Sequence, residues 1–354
     1  MTSRRRIGVS LLVAGALLPM GSGTGEAGDV LTRARWVGPV NDCQYERVVY
    51  LDATATPAEV VVVGSSLAFR GIHADPLRRG LGDPSAAVFN FAIPGASLDP
   101  VQRWLIEVVV PLADPEVVVI AFASRDLNPG GERQSGHLAE FDASPAWAFV
   151  ERGDLGFALE QIAAGIRAPR HRAALRRPDL VPEPLRDGWD PEAAGYRAPG
   201  WKLHHLWPSH CNQIRDEDRR VYPGGGAHDR QWIREHLLTP YDPSGGIVAL
   251  RRMVRSLQAT GATPVLVNLP ATLIYREAHP GGVEGYEAYR ARIRRVAETE
   301  GVLLLDAVEM FAHDETRFAD SRHLNVPGAD RLSRLLGRVL RHPERPRVVC
   351  VRCE

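Results

Sequence analysis

Two short segments, far apart in the chain, carry side chains that could act together in nucleophilic catalysis. In the first, Gly64-Ser65-Ser66 follows a run of valines, so a serine hydroxyl stands where a buried strand would end and a helix would begin. In the second, Asp320 precedes His323 by three residues. Within one turn that carboxylate can accept the imidazole Nδ1–H, which leaves Nε2 free to take a proton from a serine. The two segments together indicate acyl transfer through a serine, although Gly-Ser-Ser is equally the sequence of an ordinary loop and helix cap.

The elements that must position these residues follow from the apolar pattern. Short, almost continuously apolar runs predict buried parallel strands at Val60–Val63, Val88–Ala92, Val117–Phe122, Val265–Leu269 and Val302–Leu305. Helical periodicity lies between them, at Val101–Leu112, Ile247–Thr260, Tyr286–Glu300 and Gly328–Leu340. Asp99-Pro100 predicts the start of the first helix, and Gly261 and Gly301 predict the ends of the second and third. The alternation predicts an α/β fold with a five-stranded, doubly wound parallel sheet and a ligand site at the carboxyl ends of its strands.

A long stretch, 127–241, interrupts this alternation. It is rich in Pro, Gly and Arg and has no clear periodicity, which is typical of an irregular cap or substrate-facing subdomain. We therefore expect a catalytic domain made of residues 29–126 and 242–345, with 127–241 inserted in it and 346–354 as a C-terminal tail. The tryptophans of the insertion could stack on sugar rings or serve as core residues; they are Trp147, Trp189, Trp201, Trp207 and Trp232.

The order of the motifs resembles that of the SGNH (GDSL-type) hydrolases and acyltransferases. The family's serine, glycine and histidine blocks have counterparts here in Gly64-Ser65-Ser66, in Asn90-Phe91-Ala92-Ile93-Pro94-Gly95-Ala96-Ser97, and in Asp320-Ser321-Arg322-His323 with Leu324-Asn325. The resemblance implies a flavodoxin-like three-layer α/β/α sandwich. It implies Ser66 as the nucleophile, His323 as general base and then acid, and Asp320 as the residue that orients the histidine. It also implies that the backbone N–H groups of Ser66 and Gly95 donate to the oxyanion.

The resemblance covers most of residues 58–126 and 243–342, and the chain departs from it in the serine block. Ser65 stands where the family's GDS motif has aspartate. Such GSS variants look similar to bacterial surface-polymer acylation proteins, including those of the alginate O-acetylation and lipoteichoic acid D-alanylation systems. This similarity implies an acylated carbohydrate or surface polymer as substrate and a membrane-bound O-acyltransferase as a candidate partner.

A second departure lies in the block after the third strand, where the family has GxND. The chain reads ASRDLN at positions 123–128, so Arg125 replaces the asparagine that donates to the oxyanion. Arg125 or Asn128 could supply that donor. Alternatively, Arg125 could bind a carboxylate or phosphate of the substrate, or it could pair with Asp126 and only support the loop.

The composition argues against several classes of function. Lys+Arg and Asp+Glu are equal at 43 each, so the chain lacks the basic excess of a dedicated nucleic-acid binder. Lys202 is the only lysine and lies in no catalytic motif, which argues against a lysine base, a Schiff base or a phosphate-binding lysine loop. His204, His205 and His210 with Cys211 lack the frame of a metal site. We therefore expect neither a metal nor a cofactor.

The N-terminus predicts export. Three arginines at 4–6 precede an apolar run at 7–18 and then small residues, which is the order of a secretory signal peptide. We expect a signal peptide or a retained anchor in residues 1–28, and a location in the periplasm, outside the cell or at the outer face of the cytoplasmic membrane. There the cysteines could form a local Cys350–Cys353 disulfide or pair otherwise; the four are Cys43, Cys211, Cys350 and Cys353.

Three hypotheses of function follow. The first is an exported serine esterase that removes an O-acyl group, acetyl foremost, from a carbohydrate or surface polymer. The second is an O-acyltransferase that uses the same triad and hands the acyl group to a polymer hydroxyl. The third is a non-catalytic polysaccharide-binding protein on the same scaffold, which only the altered third block favours. Asn268 and Tyr275, which follow the fourth strand, could line the pocket.

Overall fold

The computed structural model describes residues 57–128, 216–342 and 348–351. Within these ranges, six parallel strands form a single sheet in the order β2-β1-β3-β4-β5-β6. In chain order they are β1 (Val60–Gly64), β2 (Val88–Asn90), β3 (Val117–Phe122), β4 (Thr263–Asn268), β5 (Leu303–Asp306) and β6 (Val348–Cys350). Helices flank the sheet, which confirms the predicted α/β class and the flavodoxin-like sandwich.

The sheet has one strand more than the five predicted. β6 pairs in parallel with β5, with Val348 beside Leu304 and Cys350 beside Asp306. Its residues are half-buried or exposed because it lies at the edge of the sheet. So short and so exposed a run has neither the length nor the continuous burial of an inner strand, which is why the sequence predicted only a tail at 346–354.

The helices in the described ranges pack in two groups. In chain order they are α1 (Ser66–Gly71), α2 (Ala74–Leu81), α3 (Leu98–Trp104), α4 (Ala227–Leu237), α5 (Ser244–Thr260), α6 (Leu273–Ala278), α7 (Gly282–Glu300) and α8 (Val326–Leu340). α8 packs against α1 and α2 in one group; in the other, α5 packs against α3 and α7, α7 packs against α6, and α6 packs against α4. α5 and α7 end at Gly261 and Gly301, as predicted, both in the left-handed conformation.

α3 begins earlier than predicted, and its continuation is not uniformly α-helical. It begins at Leu98, three residues before the predicted start, so Pro100 lies inside the first turn, where a missing N–H is tolerated. It continues through a π-helical turn at Leu105–Val109 and an α-helical turn at Val110–Ala113. The wider turn comes just before Pro111, which has no backbone N–H to donate within a helix.

The hydrophobic core covers both faces of the inner strands. All five residues of β1 are buried, and β1 lies between β2 and β3. The chain therefore crosses to one side of β1 to form β2 and to the other side to form β3. This reversal makes the carboxyl end of β1 a topological switch point, the place where open α/β sheets bind ligands.

α2 and α8 cross at a pair of glycines. A Cβ on Gly337 would lie 2.2 Å from the Leu77 carbonyl oxygen, and a Cβ on Gly80 would lie 2.4 Å from the Arg334 carbonyl oxygen. Only glycine therefore allows the two helix backbones to approach this closely. The crossing bears on the site because α8 begins shortly after His323.

In the part of the chain that the structure describes, no helix is both long enough and apolar enough to span a bilayer. The signal peptide or anchor predicted at 1–28 lies outside the described residues, and so does most of the insertion predicted at 127–241. The end of that insertion is described, and it contains α4.

Candidate active site

The segment that carries the serines leaves β1 at Gly64. Gly64 has a φ of +150°, and a Cβ there would lie 2.1 Å from the Ala121 carbonyl oxygen of β3, so the chain passes β3 at a distance that only glycine allows. The next two residues have different partners. Ser65 caps α1, because its Oγ accepts the Leu67 N–H at 3.2 Å. Ser66 is the first residue of α1, and its hydroxyl is left for other contacts.

The histidine and the aspartate lie on a tight loop before α8. Asp320 Oδ1 accepts the backbone N–H groups of Arg322 and His323 at 3.0 and 2.9 Å, so its side chain folds back over the turn. The Ala319 N–H donates to the His323 carbonyl at 2.8 Å and closes the loop. Asn325 then caps α8 through its side-chain oxygen, which fixes the end of the loop.

The structure brings the three predicted side chains together. His323 Nε2 lies 3.0 Å from Ser66 Oγ, and His323 Nδ1 lies 2.8 Å from Asp320 Oδ2. The imidazole is buried, whereas Ser66 and Asp320 are partly exposed. In this order, a hydroxyl, a base and a carboxylate can move one proton while the base keeps its orientation.

The surroundings favour the protonation states that such chemistry needs. Burial alone would raise the pKa of Asp320, but the hydrogen bonds and charge of His323 hold it well below its usual range. Burial lowers the pKa of His323 below its usual 6.5; Asp320 opposes this shift, and the charges of Arg322 and Arg70 add to it. Asp320 is therefore a carboxylate, and His323 a neutral base, at neutral pH.

The predicted oxyanion donors lie at the carboxyl ends of neighbouring strands. The Ile93 N–H donates to the Gly64 carbonyl at 2.8 Å, which holds the glycine block against the end of β1. A turn follows in which the Ala96 N–H donates to the Ile93 carbonyl at 3.2 Å and Gly95 has a φ of +88°. Within the described ranges, no acceptor contacts the backbone N–H of Ser66 or of Gly95. Both groups can therefore donate to an oxygen brought in by a substrate.

Arg125 lies on a 3₁₀ turn after β3 (Ser124–Leu127) and joins two of the sequence blocks. Its Nε lies 3.3 Å from Asp126 Oδ1, and its Nη2 donates to the Gly95 carbonyl at 3.5 Å. Asp126 is fully buried, so burial raises its pKa, and the charge of Arg125 opposes that shift. The structure thus contains the pairing with Asp126. Roles for Arg125 toward an oxyanion or a substrate anion stay predictions.

Two other predicted residues lie away from the serine. Asn128 donates to the Pro240 carbonyl at 2.9 Å, so its amide holds the segment that leads into α5. Asn268 accepts from the Tyr289 hydroxyl at 2.8 Å and donates to Asp306 at 3.3 Å. The structure does not bring either side chain to Ser66 or Gly95, because the polar groups of both are used inside the fold.

Tyr275 supports the third block from behind instead of facing a substrate. Its hydroxyl lies 3.0 Å from Ser124 Oγ and accepts the Arg125 N–H at 3.2 Å. Burial raises the pKa of Tyr275 to about 12, so it stays a neutral phenol. These contacts fix the turn that carries Arg125.

The end of the predicted insertion lies against the triad loop, a contact that no sequence motif indicated. Arg70 of α1 forms an ion pair with Asp218. The Arg322 guanidinium lies over the indole of Trp232 in α4, with its Cζ 5.2 Å from the ring centroid. Arg322 stands at one of the two unspecified positions of the DxxH block. Its place next to His323 is therefore the only sequence signal that could have indicated a role at the site.

Among the described residues, no group of three or more His, Cys, Asp or Glu side chains is arranged to hold a metal ion. The histidines at 204–210 and three of the four cysteines lie outside these residues. The fourth cysteine, Cys350, is exposed in β6.

Comparison with known proteins finds similarity among solved structures. No family model matches the chain, and no curated protein is similar to it in sequence. A crystal structure of a Bacteroides fragilis protein, provisionally described as an acylhydrolase, aligns over 86% of this chain and 99% of that chain, with 13% sequence identity and a TM-score of 0.41.

Proposed function

We propose that this protein is a serine esterase that removes O-acyl groups, acetyl foremost, from a carbohydrate or surface polymer outside the cytoplasm. The observation that carries the proposal is the unbroken chain of two hydrogen bonds from Ser66 through His323 to Asp320. A serine or a histidine alone has many uses in proteins. A hydroxyl bonded to a buried, neutral imidazole, which is bonded in turn to a carboxylate, is an arrangement that activates a nucleophile.

The contacts support the following first half of the proposed reaction. His323 Nε2 takes the proton of Ser66 Oγ while Oγ attacks the ester carbonyl carbon, and Asp320 stabilises the imidazolium that forms. The carbonyl π electrons move to the oxygen, which accepts hydrogen bonds from the N–H groups of Ser66 and Gly95. The ester C–O bond then breaks, the imidazolium gives its proton to the departing sugar oxygen, and the acyl group stays on Ser66.

The second half repeats these steps with a new nucleophile. His323 takes a proton from water, the hydroxide oxygen attacks the acyl carbon, and the proton returns to Ser66 Oγ as the acid leaves. An O-acyltransferase, the alternative, would use a polymer hydroxyl in place of water and would receive its acyl group from a membrane-bound partner. The two reactions share the acyl-enzyme and differ only in the acceptor.

The direct test replaces the nucleophile. We expect Ser66→Ala to lower kcat/KM for 4-nitrophenyl acetate by about a thousandfold or more, because no other described hydroxyl is bonded to His323. The same variant should lose labelling by a fluorophosphonate probe. Labelling of Ser66→Ala at the wild-type rate would overturn the proposal.

Ser65→Ala is the matched control, because it removes a neighbouring hydroxyl with a different partner. It should still be labelled by the probe, while its free energy of unfolding falls by about 1 kcal/mol through loss of the helix cap. Adding an acetylated oligosaccharide with an unacetylated one then separates the two reactions. An esterase releases acetate, whereas a transferase yields a newly acetylated acceptor.

A further inference from the structure

The side chain of Arg322 is unusual among the described arginines. Its Nε is buried without a hydrogen-bond partner, as are the Nε atoms of Arg251 and Arg276. Those two arginines form ion pairs, with Glu300 at 3.4 Å and with Glu309 at 3.8 Å. No ion pair or hydrogen bond joins the Arg322 side chain to any described residue. Arg322 as a whole is half-buried, but a buried Nε–H without an acceptor is costly, so its retention calls for a ligand or another use.

Trp232 fixes the position of this guanidinium. The Arg322 Cζ lies 5.2 Å from the centroid of the indole, within the range of a cation–π contact. The His236 ring stacks on the same indole, with the centroids 5.1 Å apart and the planes at 14°. Because the Trp232 indole already contacts Arg322 and His236, we assign it to positioning Arg322 and not to stacking on a sugar ring.

The guanidinium lies beside the reacting groups. Arg322 immediately precedes His323, which contacts Ser66. Burial and the nearby charges of Arg125 and Arg70 lower the pKa of Arg322, and Asp320 opposes this shift. Arg125 donates to the Gly95 carbonyl of the glycine block, and its charge is near enough to Arg322 to lower the pKa of Arg322.

The other charges near the site are already matched. Arg70 pairs with Asp218, Arg125 pairs with Asp126, and Asp320 holds His323. Asp320 acts on Arg322 through its charge alone, without an ion pair or a hydrogen bond, so Arg322 is the guanidinium among these described side chains that contacts no carboxylate.

We propose that Arg322, held under Trp232, binds a negatively charged oxyanion of the substrate, a carboxylate or a phosphate, next to the ester that Ser66 attacks. This inference rests on the proposed function and names the class of substrate: an acylated acidic sugar or polymer. A planar guanidinium can bind either oxyanion through two parallel hydrogen bonds, and partial burial strengthens such bonds.

The test compares esters that differ only in charge. O-acetyl glucuronic acid is paired with its methyl ester, and O-acetyl glucose 6-phosphate is paired with O-acetyl glucose. We expect the wild-type protein to prefer one anionic ester over its neutral partner by about 10- to 100-fold in kcat/KM. The pair that shows the preference identifies the oxyanion. Equal rates within both pairs would overturn the inference and leave the esterase proposal intact.

Three variants assign the preference to Arg322. Arg322→Gln should reduce the ratio of the two kcat/KM values to about threefold or less, mainly through KM. Because the ratio is measured in one sample, partial misfolding does not change it. Trp232→Ala should lower the ratio as well, and Trp232→Phe should restore part of it. Arg331→Gln is the matched control, because Arg331 is exposed and lies over Phe311 at 5.9 Å, away from the loop. An unchanged ratio in Arg322→Gln would overturn the inference.

A binding measurement separates the two proposals. If the wild-type protein cleaves no ester and the probe does not label Ser66, the esterase proposal fails. Calorimetry with glucuronate and with glucose 6-phosphate then decides the inference by itself. Binding that Arg322→Gln weakens by tenfold or more supports it, and the absence of binding overturns it.

Discussion

Side chains of one type have different chemistry in this protein because their partners differ. Ser65 and Ser66 are adjacent, but the Ser65 hydroxyl serves the cap of α1 while the Ser66 hydroxyl contacts His323. Two aspartates differ in the same way. Burial raises the pKa of Asp126, whereas hydrogen bonds from His323 lower the pKa of the partly exposed Asp320. Of the two, Asp320 is the carboxyl group whose surroundings favour the ionised form beside His323.

The shifted pKa of His323 predicts the pH dependence of activity. Burial lowers this pKa, so the imidazole is neutral over a wider range of pH than an exposed histidine. We expect kcat/KM for a neutral ester to be constant above pH 7 and to fall as the pH drops through the His323 pKa, with a midpoint below 6.5, because a protonated imidazole cannot accept the Ser66 proton. A pH–rate profile measures this midpoint.

The Arg322→Gln variant tests the direction in which Arg322 shifts the pKa of His323. The positive charge of Arg322 lowers the pKa of His323, so its removal should move the acid midpoint upward. A midpoint above 7 in the wild-type protein, or a downward movement in the variant, would contradict the assignment of His323 as the base.

Among the elements, those that carry the site were predictable from local sequence. The valine run of β1 and the glycine after it indicated a buried strand and a sharp turn at its end. The spacing of Asp320 and His323 indicated a tight turn. Gly261 and Gly301 end α5 and α7 for the local reason that was expected. These features depend on residues that are neighbours in sequence, so a single sequence is enough to predict them.

The elements that were missed depend on contacts between distant residues. β6 is a strand only because β5 offers an edge, and its three residues show no pattern of their own. Asn128 follows β3 and Asn268 ends β4, positions that are typical of pocket residues. However, their side-chain amides form hydrogen bonds with Pro240 and Tyr289. The contact of Arg322 with Trp232 joins two segments whose order in sequence says nothing of their distance in space.

The glycine crossing of α2 and α8 predicts that a Cβ placed between the two helices lowers the free energy of unfolding. Gly337→Ala should lower the free energy of unfolding by about 2 to 3 kcal/mol, because its Cβ would lie 2.2 Å from the Leu77 carbonyl oxygen and must push the helices apart. Urea denaturation measures the change. Gly71→Ala is the control, since its nearest neighbour is the Leu324 side chain at 3.8 Å, and it should change stability by less than about 1 kcal/mol. Equal effects of the two substitutions would contradict the described crossing.

At the scale of the whole molecule, the end of the insertion is part of the site. The Tyr222 N–H donates to the Phe318 carbonyl at 2.8 Å, and Asn325 donates to the Arg220 carbonyl at 3.1 Å. With Trp232 over Arg322, these contacts bind the segment before and within α4 to the loop that carries the triad. We expect the predicted cap, if it is anchored through these contacts, to select substrates without supplying the nucleophile or the base.

Removal of β6 tests the sixth strand at the same scale. A chain that ends at residue 343 should lose about 1 to 3 kcal/mol of unfolding free energy, because Val348 and Val349 pack against the core and the edge of β5 becomes exposed. Its kcat/KM should stay within about threefold, since β6 lies at the far edge of the sheet from β1 and β2. A chain that ends at Val351 keeps β6 and should match the full chain in urea denaturation. Equal stability of the two truncated chains would show that β6 contributes nothing.

Ser66 and His323, whose side chains touch, stand 257 positions apart in the chain. During synthesis the nucleophile therefore leaves the ribosome long before its base. A polypeptide that stops early holds a serine of ordinary alcohol reactivity and attacks no ester. Under the proposed function, activity arises only once residue 323 has been synthesised and has folded against Ser66.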